Sequence, residues 1–211
     1  MIWAWRDYTT VAGFVTPAAG KERYMIDSHH LLRGQRIWLT ALRRADAAVM
    51  ARWEYDSEYL RLMDAGPAHP RTEEEIIRWL DSAARSHTEF TFGIRLIDSD
   101  ELIGWTQLDG IDWIHRTTAL GIGIGNRNFW DNGYGTEAIT LLLDFAFREL
   151  NLHRVFLTVF SYNRRAIHLY EKLGFRHEGT HREHIQRSGR RYDMLLYGIL
   201  NREWAQQRNG F

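Results

Sequence analysis

The sequence predicts a single α/β domain in which strands, several of them joined as hairpins, are flanked by amphipathic helices. Three observations carry that expectation. Alternating apolar and polar residues recur in short runs, as from Glu89 to Ile97 and from Glu101 to Ile111. Longer stretches carry apolar residues at helical spacing, most clearly Ala138, Leu141, Leu142, Phe145 and Ala146. The stretch from Leu120 to Ala138 reads LGIGIGNRNFWDNGYGTEA: a strand, a glycine-bearing turn and a helix start, in that order.

The elements follow in chain order. Residues 1–34 contain Trp3, Trp5, Tyr8, Phe14 and Tyr24, too many aromatics for a disordered tail. They are expected to form an extra strand or arm that packs on the domain or on a second subunit, the latter giving a homodimer. Gln35 to Thr40, with Ile37 and Leu39 on one face, is the first strand. Ala45 to Glu54 and Tyr55 to Asp64 are expected as two short helices. Gly66-Pro67 and Pro70 then break the chain. Thr72 and Glu75 form a capping box, and Ile76, Ile77, Leu80 and Ala84 give the next helix its stripe. Turns are expected at Asp98-Ser99-Asp100 and at Asp112 to Arg116, the second leading into the glycine-bearing strand from Thr118. Arg154 to Phe160 reads as a buried strand rich in β-branched and aromatic residues. Asn163 is an N-cap and Gly174 a C′ residue for the helix between them. His177 to Arg187 and Arg190 to Leu200 close the domain as a hairpin around Ser188-Gly189. No repeat or linker divides the chain, so one domain is expected over 35–204, followed by a tail at 205–211.

Composition narrows the function classes. Lys and Arg total 27 and so do Asp and Glu, so no global field draws the chain to nucleic acid or to an anionic membrane. No apolar run reaches the ~18 residues a membrane helix needs. The start, MIWAWRDYTT, lacks the basic and apolar blocks of a signal peptide. There is no cysteine, which rules out disulfides, thiolate metal ligands and a cysteine acyl-enzyme, and a cytoplasmic protein is expected.

The glycine-bearing stretch points to a ligand. Leu120, Ile122 and Ile124 alternate with Gly121, Gly123 and Gly125, leaving one strand face bare, often a sign that a ligand or another backbone comes close. Gly133-Tyr134-Gly135 then opens a helix whose free N–H groups and dipole suit a phosphate. The glycines at 121, 123 and 125 do not have the G-x-G-x-x-G spacing of a dinucleotide site, and no G-K-[ST] occurs for a Walker A loop. Downstream, after an apolar strand, stands Asn163-Arg164-Arg165-Ala166-Ile167-His168-Leu169-Tyr170-Glu171-Lys172-Leu173-Gly174-Phe175. The two segments together resemble the GNAT superfamily of acetyl-CoA-dependent N-acetyltransferases, over roughly Gln35 to Trp204. WDNGYGTEA is similar to its pyrophosphate loop (Q/R-x-x-G-x-G/A), and N-x-x-A-x-x-L-Y-x-x-x-G-F to its second CoA-contacting helix. Trp130 stands where many members have Gln or Arg, as is usual in the RimJ/RimL-like branch.

The resemblance implies a twisted, mostly antiparallel mixed sheet flanked by helices. It implies direct acetyl transfer from acetyl-CoA to a primary amine, a protein N-terminus or a small molecule. Amides of Asn132, Gly133, Tyr134, Gly135 and Thr136, beside Trp130, would hold the pyrophosphate. The strand at Ile122, Gly123 and Ile124 would bond the pantetheine arm, with Asn163 and Ala166 near the arm and Tyr170 as general acid. Relatives often carry a Glu base two residues before Gly121, where this chain has Ala119. Asp109, Asp112 and His115 are substitutes to consider, and Glu89 is a weaker one. His177, His181 and His184 do not converge as a metal site, because on a strand the third would face away from the first two. No metal is expected. Two alternatives stay open: a polyamine or aminoglycoside acceptor, and a non-catalytic acyl-CoA-binding sensor.

Overall fold

The structure, a computed structural model, describes residues 30–209. Trp3, Trp5, Tyr8, Phe14 and Tyr24 of the expected arm lie outside the described residues. The strands are β1 (Ile37–Ala41), β2 (Phe90–Leu96), β3 (Leu102–Asp112), β4 (Thr117–Ile124), β5 (Arg154–Phe160), β6 (Arg176–Arg187) and β7 (Arg190–Leu200). The helices are α1 (Ala47–Trp53), α2 (Ser57–Met63), α3 (Glu73–Ala83), α4 (Tyr134–Asp144), α5 (Arg164–Lys172) and α6 (Asn201–Asn209). A short 3₁₀ turn at Arg44–Asp46 begins the segment expected as one helix from Ala45. α6 runs through position 205, where a tail was expected to begin.

Seven strands form one sheet in the order β1-β2-β3-β4-β5-β7-β6. Every pairing is antiparallel except β4 with β5. That parallel pairing needs a crossover, which α4 provides. α4 buries Ala138, Ile139, Leu142 and Leu143 on one sheet face, together with Leu120, Val155 and Ile199. On the other face α1, α2 and α3 build a second core around Met50, Trp53, Tyr59, Ile76 and Leu80.

Local chemistry sets the element ends. The Thr72 hydroxyl accepts from Glu75 N at 3.3 Å, and the Glu75 carboxylate accepts from Thr72 N at 2.7 Å, completing the expected capping box. Asn163 Oδ1 accepts from Ala166 N at 3.2 Å and caps α5. Gly174 adopts φ +82°, the left-handed conformation of a C′ residue. Ser188 and Gly189 both have positive φ, 48° and 76°, as a two-residue type I′ hairpin requires.

Candidate functional site

The helix start at Gly133 is built to leave amides free. Gly133 is the N-cap of α4 with φ +80°, a conformation glycine adopts without steric cost. The first amide of the segment to find a helical carbonyl is Glu137 N, on Gly133 O at 3.1 Å. Among the described residues, the amides from Asn132 to Thr136 donate to nothing within the protein. Arg36, just before β1, braces this turn. Its Nη1 donates to Asn132 O at 2.9 Å, its Nε meets Glu137 Oε2 at 3.1 Å, and its guanidinium lies 4.7 Å from the Tyr134 ring centroid. Sequence reasoning missed Arg36, because its partners lie about a hundred residues downstream.

Trp130 sits beside the free amides, its ring centroid 4.4 Å from the Arg165 guanidinium and 5.3 Å from that of Arg127. Its indole N–H donates to Ile124 O at 2.7 Å. This bond ties the turn to the end of β4 and takes up one carbonyl of the stretch expected to bond a pantetheine arm.

The rest of that edge is open. β4 pairs with β5 only through Thr117↔Arg154, Thr118↔Val155 and Ala119↔Phe156. From Leu120 to Ile124 on β4, and from Leu157 to Phe160 on β5, the two strands have no mutual partners. Gly125 N donates to Ile103 O of the β3 side at 2.9 Å. Antiparallel alternation then turns the amides of Gly123 and Gly121 toward β3, and those of Leu120, Ile122 and Ile124 toward the gap. A wedge lined by main-chain polar groups thus runs from Ala119 to the free amides at the start of α4.

α5 closes one face of the wedge. A Cβ added at Gly135 would lie 3.0 Å from Leu169 Cδ1 and 4.0 Å from Ile122 Cδ1, so the two motifs meet side by side. Ala166 packs against the main core, and its amide is held by Asn163. Tyr170 is 7% exposed and stands edge-to-face with Phe175, ring centroids 5.7 Å apart. Burial pushes its phenol above the ordinary range, with no charged or hydrogen-bonding neighbour among the described residues to offset it.

The glycine face of β4 is not bare. Gly125 carries the Trp53 ring directly upon it, and the space at Gly123 is filled by Met63 Sδ at 3.0 Å and Trp105 Nε1 at 3.1 Å. The glycines therefore admit helix side chains along most of their length, and Gly121, against the Gln107 side chain, is where that face is not filled by the helices. Tyr59 accepts from Trp105 Nε1 at 3.1 Å, and burial raises its phenol to about 12. The chain on both sides of Met63 is clamped from afar: Arg187 Nη2 donates to Asp64 O at 2.7 Å and Gly66 O at 2.9 Å, and the Tyr162 hydroxyl donates to Arg61 O at 2.6 Å. Gln107, Met63 and Arg187 carry no motif and were not legible beforehand.

The candidate bases separate. Asp112 accepts from the amides of Ile114 (2.9 Å) and His115 (2.8 Å), which lower its carboxyl and make it a turn residue. His115 lies exposed in the same turn. Asp109 stands on β3 directly opposite Ala119, and the Glu89 carboxylate accepts from the Thr91 hydroxyl at 2.6 Å. The histidines correct one expectation. Register shifts between His177 and Gly179 and between His181 and Ile185, with Glu183 at φ +50°, break the strand alternation. The His181 and His184 rings consequently lie 5.5 Å apart instead of on opposite faces, while His177 meets Tyr197. No group of three or more metal-binding side chains converges among the described residues. No described helix is long and apolar enough to cross a membrane. A cavity of about 670 Å³ is lined by Arg52, Trp53, Glu101, Gly125 and the ion-paired residues Arg95, Asp46, Arg127 and Asp56.

Comparison with known proteins agrees with this geometry. Residues 36–176 match the family model described as an acetyltransferase (GNAT) domain. The chain is 28% identical over 172 residues to the uncharacterized N-acetyltransferase p20 of Bacillus licheniformis, a match covering 81% of this chain and 96% of that one. It is 31% identical over 109 residues to YdaF of Bacillus subtilis, named a putative ribosomal N-acetyltransferase, covering 52% of this chain and 59% of the relative. Among solved structures, a spermidine N-acetyltransferase from Vibrio cholerae, in complex with CoA and spermine, superposes with TM-score 0.73 at 26% identity. That superposition covers 81% of this chain and 98% of the other.

Proposed function

The chain belongs to the GNAT acetyltransferase family and is an acetyl-CoA-dependent acetyltransferase; on that premise we propose that it acetylates a primary amine of low pKa, as the RimJ/RimL-like branch does, by direct transfer. The observation that supports this reading best is the wedge between β4 and β5 leading to unbonded amides at the start of α4. A diphosphate placed there accepts from several N–H groups at once, at the positive end of a helix dipole. The pantetheine arm then extends along β4 like an added strand, bonding the main-chain groups of Ile122 and the amide of Ile124. An N–H of the same edge is placed to stabilise the oxyanion of the tetrahedral intermediate.

Tyr170 is the proposed general acid. Its raised pKa keeps the phenol protonated throughout neutral pH. A leaving thiolate has a pKa of about 8.5, so full proton transfer from such a phenol is uphill. Its contribution is therefore strongest as a hydrogen bond to the charge that develops on sulfur. An α-amino group, with a pKa near 8, is appreciably neutral at physiological pH without a strong base, whereas a polyamine nitrogen near 10.4 is not. Ala119, in place of the usual Glu, fits the first.

A polyamine acceptor is the second reading, favoured by the likeness to the spermidine enzyme. Thiol release from acetyl-CoA, measured against N-terminal peptides, spermidine and an aminoglycoside, separates the two. Peptides turned over faster than spermidine support the first reading, and the reverse order supports the second. Calorimetric CoA binding with no thiol release for any amine points instead to a sensor that has lost turnover.

A further inference from the structure

We propose that the carboxylate absent from position 119 is supplied by the neighbouring strand, as Asp109, and that Gln107 beside it holds the acceptor amine; this rests on the acetyl-transfer reading above. The register places Asp109 opposite Ala119 and Gln107 opposite Gly121. Residues directly opposite in an antiparallel pair share a face, with Cβ atoms about 5 Å apart. Asp109 thus stands one strand away from the missing group, at the last pair before β4 and β5 part, Ala119↔Phe156. The buried Thr118 hydroxyl donates to the Asp109 carbonyl at 2.9 Å and pins that point of β3 to β4. None of the ion pairs among the described residues takes up the Asp109 carboxylate.

Gln107 supplies an independent observation. Its Oε1 is buried without a hydrogen-bond partner among the described residues, and such groups are rare in folded proteins unless a ligand or water serves them. The amide lies against the open side of Gly121: a Cβ built there would meet Gln107 Cγ at 3.3 Å and Nε2 at 3.6 Å. Rotation about the last side-chain torsion interchanges the two ends of the amide. An amine over Gly121 can then donate one N–H to the amide oxygen and aim its lone pair into the wedge. Glu89, on the same face if the β2–β3 register is extended by one pair, is the titratable group facing Asp109 from β2. On β4 the facing residues Thr117, Ala119 and Gly121 do not titrate, and Asp112 and His115 belong to the turn beyond.

The neutral amine nitrogen attacks the thioester carbonyl carbon, forming the C–N bond and placing negative charge on oxygen. The proton now in excess on nitrogen passes through one water to the Asp109 carboxylate. Collapse of the intermediate breaks the C–S bond, and the thiolate leaves hydrogen-bonded to the Tyr170 phenol, which keeps its proton. Asp109 then returns its proton to solvent.

The test uses the full chain, acetyl-CoA, and the peptide or polyamine that the wild type acetylates. Asp109→Asn is expected to lower kcat about 100-fold, with calorimetric CoA affinity unchanged. Gln107→Met is expected to raise the KM for the amine about tenfold while kcat moves only a few-fold. Ala119→Glu placed in the Asp109→Asn background is expected to recover at least about tenfold of the lost rate. Asp109→Asn at wild-type rate between about pH 6 and pH 9 overturns the proposal. So does a loss of CoA affinity in that variant, which would make Asp109 structural. A wild type inert toward every amine overturns the acetyl-transfer reading itself, and this proposal with it.

Discussion

Tyr170 concentrates the residue-scale question, because its side chain is buried and, among the described residues, finds no offsetting partner. Removing only that oxygen leaves the ring against Phe175 and costs no packing. Tyr170→Phe is therefore expected to keep its thermal midpoint and CoA affinity, while kcat falls ten- to 100-fold, on the order of a lost hydrogen bond to developing charge. Unchanged turnover in steady-state kinetics would remove the acid role. Tyr170 was singled out by the family resemblance alone, whereas the sequence made Asn163 and Thr72 legible because each caps a helix through an amide three residues away. Arg36, Gln107 and Arg187 were hidden for the opposite reason. Arg36 reaches Glu137 across 101 positions and Arg187 reaches Asp64 across 123, and no periodicity records such a meeting.

At the scale of the element, the start of α4 depends on one backbone conformation. Gly133 at φ +80° aims the amides that follow it, and a side chain there costs roughly 1–2 kcal/mol in the left-handed region. Gly133→Ala is expected to weaken CoA binding at least tenfold in calorimetry, more than it lowers the urea midpoint, because the strain relaxes by turning those amides. A fall in stability with unaltered CoA affinity would separate the turn from the ligand. The join between α1 and β2 makes a second case. Arg95 and Asp46, 4% and 6% exposed, meet at 2.5 Å, and Arg95 also donates to Asp100 O at 2.9 Å. Asp46→Ala leaves that guanidinium buried and uncompensated, at a cost of about 3–5 kcal/mol. Urea denaturation checks this, and a loss below about 1 kcal/mol would mean that water reaches the arginine. Neither feature is equally visible beforehand: a glycine at a helix start is a known signal, whereas Arg95 lies in an ordinary alternating strand.

For the molecule as a whole, strand positions followed from alternation, but strand order could not. The parallel pairing of β4 with β5 ends after three residues, and the sheet carries α4 on one face and α1 to α3 on the other. Those two layers are also coupled by charge. Asp56 caps α2 through the amides of Glu58 and Tyr59 and pairs with Arg127 in the turn between β4 and α4. The arginine hydrogen bond, with help from those amides, holds the Asp56 carboxyl down at about 2, against an ordinary 3.8. A carboxyl lowered by folding contributes stability that is fully present above its unfolded value and is lost as pH falls toward its folded one. The window is therefore about pH 4 down to pH 2, and stability falls as the solution becomes more acidic. The pair is open to solvent, so screening reduces the contribution to about 1 kcal/mol. Asp56→Asn keeps a competent helix cap and removes only the charge. Urea midpoints of wild type and variant are expected to differ by that amount at pH 6 in low salt, and the gap should narrow both at pH 3 and in ~1 M salt. A gap that survives both conditions unchanged would assign Asp56 to capping alone, and the turn beside the free amides would then owe its position to Trp130 and Arg36.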